Sequence, residues 1–159
     1  MKYRVVAAII GIFGGLIGGG PAVALADGMD VKQVRIAAKV FSFLQNKPSP
    51  GAVVIVLSGA ADVALLATAL QTLKINEGRV TDVAGAVAVF VKSTAEANAA
   101  KSVNPRVLII GADAGCVDAS ACIVAVETSP KISVYLSRAA ASNAGIDFDT
   151  SFKMLVTER

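Results

Sequence analysis

Apolar and polar positions along this chain change period several times, and each change predicts an element. From Val31 to Leu44 apolar residues recur at 31, 34, 37–38, 40–41 and 44. That is a helical stripe, with Lys32, Arg35 and Lys39 turned outward. Pro48 and Pro50 end it. Residues 52–59, AVVIVLSG, form a continuous β-branched run, too apolar for a half-exposed strand and expected in the middle of a sheet. AADVALLATALQTL (60–73) predicts a helix with Asp62 in its first turn, where a carboxylate complements the helix dipole. GRVTDVAG (78–85) reads as a strand of moderate strength, and AVAVFVKS (86–93) as another. STAE at 93–96 has the capping-box spacing and opens a helix to about Val103. Asn104-Pro105 breaks that helix, and RVLIIGA (106–112) is a second buried strand.

Further on, ACIVAVETSPKISVYLS (121–137) reads as two strands joined by a turn at Thr128–Lys131. SRAAASNAG (137–145) is a short helix stopped by Gly145, and SFKMLVTE (151–158) is a last strand or the end of a helix. Repeated strand–helix–strand units of this length predict an α/β fold: one compact domain, a mostly parallel sheet flanked by helices, with an antiparallel part near the C-terminus.

The first residues break this pattern. MKYRVVAAIIGIFGGLIGGGPAVALADG has a positive start (Lys2, Arg4), an apolar run from Val5 to Ile17, helix-breaking Gly18 to Pro21, and small residues at Ala24 and Ala26. This is the three-part layout of a secretory signal peptide, with cleavage expected between Ala26 and Asp27. A retained anchor needs about 20 apolar residues in a stable helix, which the glycines and Pro21 weaken. The expected division is therefore a signal peptide over 1–26 and one exported domain over 27–159.

Removing the leader takes two of the fifteen basic residues and no acidic one, leaving thirteen against twelve, or +1. A nearly neutral domain lacks the concentrated positive field that phosphate backbones demand, so nucleic acid is not an expected partner. Export also bears on the two cysteines, Cys116 and Cys122, which share one short segment, GADAGCVDASACIVAV. A zinc site draws mostly on Cys and His, and the chain has no histidine. A thioredoxin-type pair has two residues between its cysteines, not five. A structural disulfide in an oxidising compartment is the reading that remains.

Without histidine the commonest general base is missing, and no enzyme is expected. Two strand ends form a candidate ligand edge: Ser58 and Gly59 after one central strand, Gly111 and Asp113 after another. Clefts in open α/β sheets lie beyond the carboxyl ends of strands. SGAAD has no phosphate-binding fingerprint, and DAGCVD is too sparse in oxygen ligands for a calcium loop. Plain turns and solvated acids are the simpler readings, and no cofactor or metal is expected. Lys32, Arg35 and Lys39 form either a solvated stripe or a surface that meets an acidic partner. Phe41 and Phe43 point to different sides of their helix, which leaves one open to a subunit interface or both packed against neighbouring elements.

Two segments resemble a known family. AAKVFSFLQNKPSP (37–50) looks like the opening helix of the YfiR-like small periplasmic proteins. KISVYLSRAAASNAGIDFDTSFKMLV (131–156) is similar to their closing signature: a strand, an Ala-rich helix, AG, a polar spacer and an apolar end. The resemblance spans about 37–157 and implies a periplasmic α/β domain that forms homodimers and has no enzymatic activity. It also implies a regulatory role, restraining an inner-membrane partner through that partner's periplasmic domain, typically that of a diguanylate cyclase, and so lowering cyclic di-GMP and biofilm formation. This chain departs from the family in lacking a tryptophan before the early proline and in having fewer cysteines than the best-known member's two disulfides. The second expectation is a periplasmic small-molecule-binding module for a transporter or sensor, using the Ser58/Gly59/Gly111/Asp113 edge.

Overall fold

The computed structural model describes residues 28–159; the expected leader and its cut between Ala26 and Asp27 lie outside them. Among these residues, helices α1 (Val31–Val40), α2 (Val63–Ala69), α3 (Thr94–Val103), α4 (Ala114–Asp118), α5 (Arg138–Ala144) and α6 (Thr150–Leu155) alternate with seven strands. The strands are β1 (Val53–Leu57), β2 (Lys74–Gly78), β3 (Ala88–Phe90), β4 (Leu108–Gly111), β5 (Val124–Glu127), β6 (Ser133–Leu136) and β7 (Thr157–Glu158). They form one sheet in the order β2-β1-β3-β4-β5-β6-β7. The first five are parallel and follow the 2-1-3-4-5 order of flavodoxin-like doubly wound sheets. β6 runs antiparallel to β5, and β7 parallel to β6.

Central strands are apolar on both sides because the pleat sends alternate side chains into two cores. Val54, Val56, Phe90, Leu108 and Ile110 enter one, under α1, α2, α5 and α6. Ile55, Leu57, Val89 and Ile109 enter the other, under α3, α4 and a 3₁₀ segment. Fully burying a side chain such as Phe90 contributes roughly 1.5–3 kcal/mol over leaving it exposed. The two cores together make this a single α/β domain with helices on both sides of a mostly parallel sheet.

Helix starts follow from short polar side chains. Asp30, Asp62, Ser93, Ser137 and Asp149 each accept a backbone N–H in the first turn that follows. Gly145 stops α5 in the left-handed region, at φ +69°. Asp62 caps α2 from outside and Leu70 leaves helical geometry at its other end, so the helix is shorter than the 60–73 expected from its apolar content.

One expected strand is not a strand. Residues Val80–Gly85 form a 3₁₀ helix, and β2 lies just before it at Lys74–Gly78. Asp82 accepts the Arg79 N–H at 2.7 Å, which turns the chain where β-branched residues favour extension. The apolar residues Val80, Val83 and Ala86 are three apart, matching the three-residue turn of a 3₁₀ helix, and Val83 and Ala86 are buried. The cysteine segment contains the short helix α4. The C-terminal alternatives both hold in sequence, as α6 and then β7.

Candidate functional site

All four residues of the expected ligand edge lie at the carboxyl ends of parallel strands. Ser58 and Gly59 follow β1, next to the point between β1 and β3 where the strand order reverses; Gly111 ends β4 and Asp113 follows it. β3 separates the two pairs, which puts them two strand spacings, about 10 Å, apart. The structure brings them to one edge but not into one cavity. The main clefts among the described residues are lined by other side chains.

Much of that edge is filled by the chain itself. Met29 N–H donates to Ala60 O at 2.8 Å, and Gly28, at φ +86°, lies so close to Gly59 O that a β-carbon there would collide with it. Gln33 Nε2 donates to Ala112 O at 3.0 Å and to Val126 O at 2.7 Å, while its Oε1 accepts the Asp30 N–H at 2.8 Å. Asp30 in turn accepts from Gln33 N–H and from Thr128 Oγ1. These two hydrogen bonds, the Gln33 N–H first, hold the Asp30 carboxyl below the usual carboxylate range. The first turn of α1 is thereby fastened across the carboxyl ends of β4 and β5. Gln33 was not singled out from the sequence, although Asp30-Val31-Lys32-Gln33 has the spacing of a capping box.

Gly111 has a separate reason to be glycine. Cys116 and Cys122 form a disulfide with Cα atoms 5.2 Å apart, and both residues are buried. A β-carbon on Gly111 would lie 2.7 Å from Cys122 Sγ and 3.5 Å from Cys116 Cβ. The missing side chain is the room in which the sulfur bridge packs. Ala121 and Cys122 N–H groups both donate to Cys116 O, closing the same loop through the backbone. Glu127 Oε1 accepts the Ala114 N–H at 2.7 Å, at the start of α4. Asp113 is exposed at that end without capping it, and Asp118 pairs with Arg159 at 3.1 Å.

At the opposite, amino end of the sheet, two segments about a hundred residues apart fold together. Gln45 N–H donates to Asp147 O at 3.1 Å, and Asp149 N–H donates to Phe43 O at 2.9 Å. Phe43 packs on Phe152 with ring centroids 5.3 Å apart, and Phe148 on Phe152 at 4.7 Å. Phe41 is buried and Phe43 half-buried, so both aromatics of α1's end pack inside this chain. A cleft of about 260 Å³ is lined by Leu44, Asn46 and Pro48 from one segment, Gly145 to Asp147 from the other, and Arg106 before β4. It adjoins a cleft of about 420 Å³ that shares Gly145, Ile146 and Asp147 and reaches Arg138, Lys153 and Glu158. Arg138 pairs with Glu158 at 3.3 Å and Lys153 with Asp147 at 2.8 Å, the latter holding Asp147 below the ordinary carboxylate range. Beside them on α6, Met154 and Leu155 are 76% and 72% exposed.

Among the described residues, no group of three or more His, Cys, Asp or Glu side chains is placed to hold a metal ion. No described helix is long and apolar enough to cross a membrane. The disulfide is of the kind that forms and persists in oxidising compartments. Neither a protein-family model nor a curated protein matches this chain.

Proposed function

We propose that this chain is a non-enzymatic regulatory binding protein of the periplasm, exported by its N-terminal leader, that docks on the outer domain of an inner-membrane signalling protein. By its resemblance to YfiR-like proteins, that partner is a diguanylate cyclase, held in its less active state so that cyclic di-GMP falls. The mechanism is a population shift: the bound protein favours the partner state it fits better. One observation carries the reading. The two segments that resemble the YfiR-like family, 37–50 and 131–156, are joined through Phe43, Phe148 and Phe152 and together line one cleft that adjoins a second, with exposed apolar and charged neighbours. A patch of this mixed character suits protein recognition, whose interfaces combine apolar anchors with a polar rim. Homodimer formation, which the resemblance also implies, belongs to the same proposal.

Deleting the gene tests the role: cyclic di-GMP rises when the protein is lost, whereas an unchanged level in cells that normally express it contradicts the reading. A second reading, a small-molecule-binding module for a transporter or sensor, draws on the cleft of about 420 Å³, a volume within the range of small-ligand sites. Calorimetry against periplasmic solutes separates the two, since the module releases or absorbs heat with one of them and the docking protein does not.

A further inference from the structure

A third groove runs between the ends of α1 and α2. Its volume is about 610 Å³; Pro48, Ala69 and Leu73 are its accessible apolar lining residues over buried Phe41 and Leu70, and Arg35, Lys39 and Lys47 supply three cations. No carboxylate lines it. All three cations are exposed, and none takes part in the three ion pairs among the described residues. Asp149, whose carboxyl feels Lys47, is already engaged by Ser151 Oγ and the Phe152 N–H. An apolar trough whose positive rim forms no ion pair is complementary to an apolar stripe flanked by carboxylates.

We propose that this groove docks an acidic amphipathic helix of a partner protein, with apolar side chains against Pro48, Ala69 and Leu73 and carboxylates on Arg35, Lys39 and Lys47. The proposal deepens the docking role set out above and rests on it. The groove is concave, and a concave trough cannot press its floor into a flat bilayer, so a lipid surface fits it poorly. A second copy of this chain fits no better, because no described helix carries more than one acidic residue. From Arg35 to Ser42 the groove follows the second half of α1 and its end for about 10 Å, a length that two turns of a partner helix match.

The test uses the full exported chain with its disulfide intact and a fluorescent helical peptide of about 14 residues, Leu on one face and Glu on its flanks. Its twin carries Lys in place of Glu. Fluorescence anisotropy is expected to show binding of the Glu peptide only, weakening as salt rises. The triple variant Arg35→Glu/Lys39→Glu/Lys47→Glu loses about tenfold or more in affinity, a change of 1.4 kcal/mol or more. A control of equal net charge, Arg79→Glu/Lys92→Glu/Lys131→Glu, keeps the wild-type affinity, and circular dichroism verifies that both variants fold. Equal binding of the two peptides, no binding of either, or equal losses in both variants overturns the proposal. So does binding to phosphatidylglycerol vesicles that depends on the same three cations and exceeds peptide binding. The cyclic di-GMP measurement is independent: a failed peptide assay with raised cyclic di-GMP removes the groove and keeps the regulatory role.

Discussion

The two ends of this sheet differ in what occupies them. At the carboxyl end, where doubly wound folds usually hold ligands, Gly28 and Met29 pack on the backbone of Gly59 and Ala60, Gln33 bridges the carbonyls of Ala112 and Val126, and the disulfide fills the space at Gly111. At the amino end, charged and apolar side chains line open grooves. A fold that commonly binds small molecules at one edge here lays the first turn of α1 over much of that edge, leaving a cleft there beside Asp30 and Thr128, and lines the other edge with three grooves. Strand topology locates a potential site, while the residues laid over it decide how much of it is open.

The largest expected effect comes from unclasping the open end. Phe148 is fully buried against Phe152, and Phe148→Ala is expected to cost about 3–5 kcal/mol, read as a lower denaturant midpoint. A loss under about 1 kcal/mol would mean that the clasp is not what joins the two segments.

The closed end is tested next. Gly111→Ala drives a methyl into the sulfur bridge and is expected to cost about 1–3 kcal/mol. Cys116→Ala/Cys122→Ala alone costs about 2 kcal/mol by the loop-entropy estimate. Combined, the changes should cost clearly less than their sum, because the double alanine removes the atoms that Gly111→Ala strikes. Strict additivity would show that Gly111 and the disulfide are unrelated.

Gln33→Ala is expected to cost no more than Gly111→Ala, about 1–3 kcal/mol, since it strips hydrogen bonds from the carbonyls of half-buried Ala112 and buried Val126. Hydrogen exchange should quicken in the first turn of α1 and leave α3 unchanged.

The smallest effect is that of pH. The Asp30, Asp147 and Asp149 carboxyls all lie below the usual range: Asp30 through the Gln33 N–H and Thr128, Asp147 through Lys153, Asp149 through Ser151. A depressed folded-state value stabilises the fold fully above the unfolded carboxylate pKa of about 3.9 and loses that stability as pH falls through the folded value. With no histidine to titrate near pH 6.5, stability is expected to stay level from about pH 5 to 8 and to decline only in acid. A midpoint shift near pH 6.5 would contradict this assignment of charges.

The legible parts of the fold were those whose burial repeats in sequence. Runs such as VVIVL and LIIG announce strands buried on both faces, and Ser93 and Gly145 mark the ends of helices by local chemistry. β2, KINEG, escaped because an edge strand half-wetted by solvent keeps no apolar run or alternation. The segment 78–85 misled because β-branched residues favour strands on their own, while Asp82 and the burial of Val83 act only in context. α4 is too short, and too rich in small residues, to show a period; the disulfide and Glu127 hold it. At the candidate site, the cysteine pairing could be read from composition and spacing. Gln33 could not, because its partners Ala112 and Val126 are backbone carbonyls about eighty and ninety residues away.

Photo-crosslinking in living cells tests most directly the proposal that the amino end of the sheet meets a partner. A photoreactive side chain is placed singly at Ser58 and Asp113 on the closed edge, and at Ser42 and Arg106 beside the open grooves. Adducts with an inner-membrane protein from Ser42 and Arg106, and none from Ser58 or Asp113, are the expected result. Adducts from Ser58 and Asp113 alone would contradict the account.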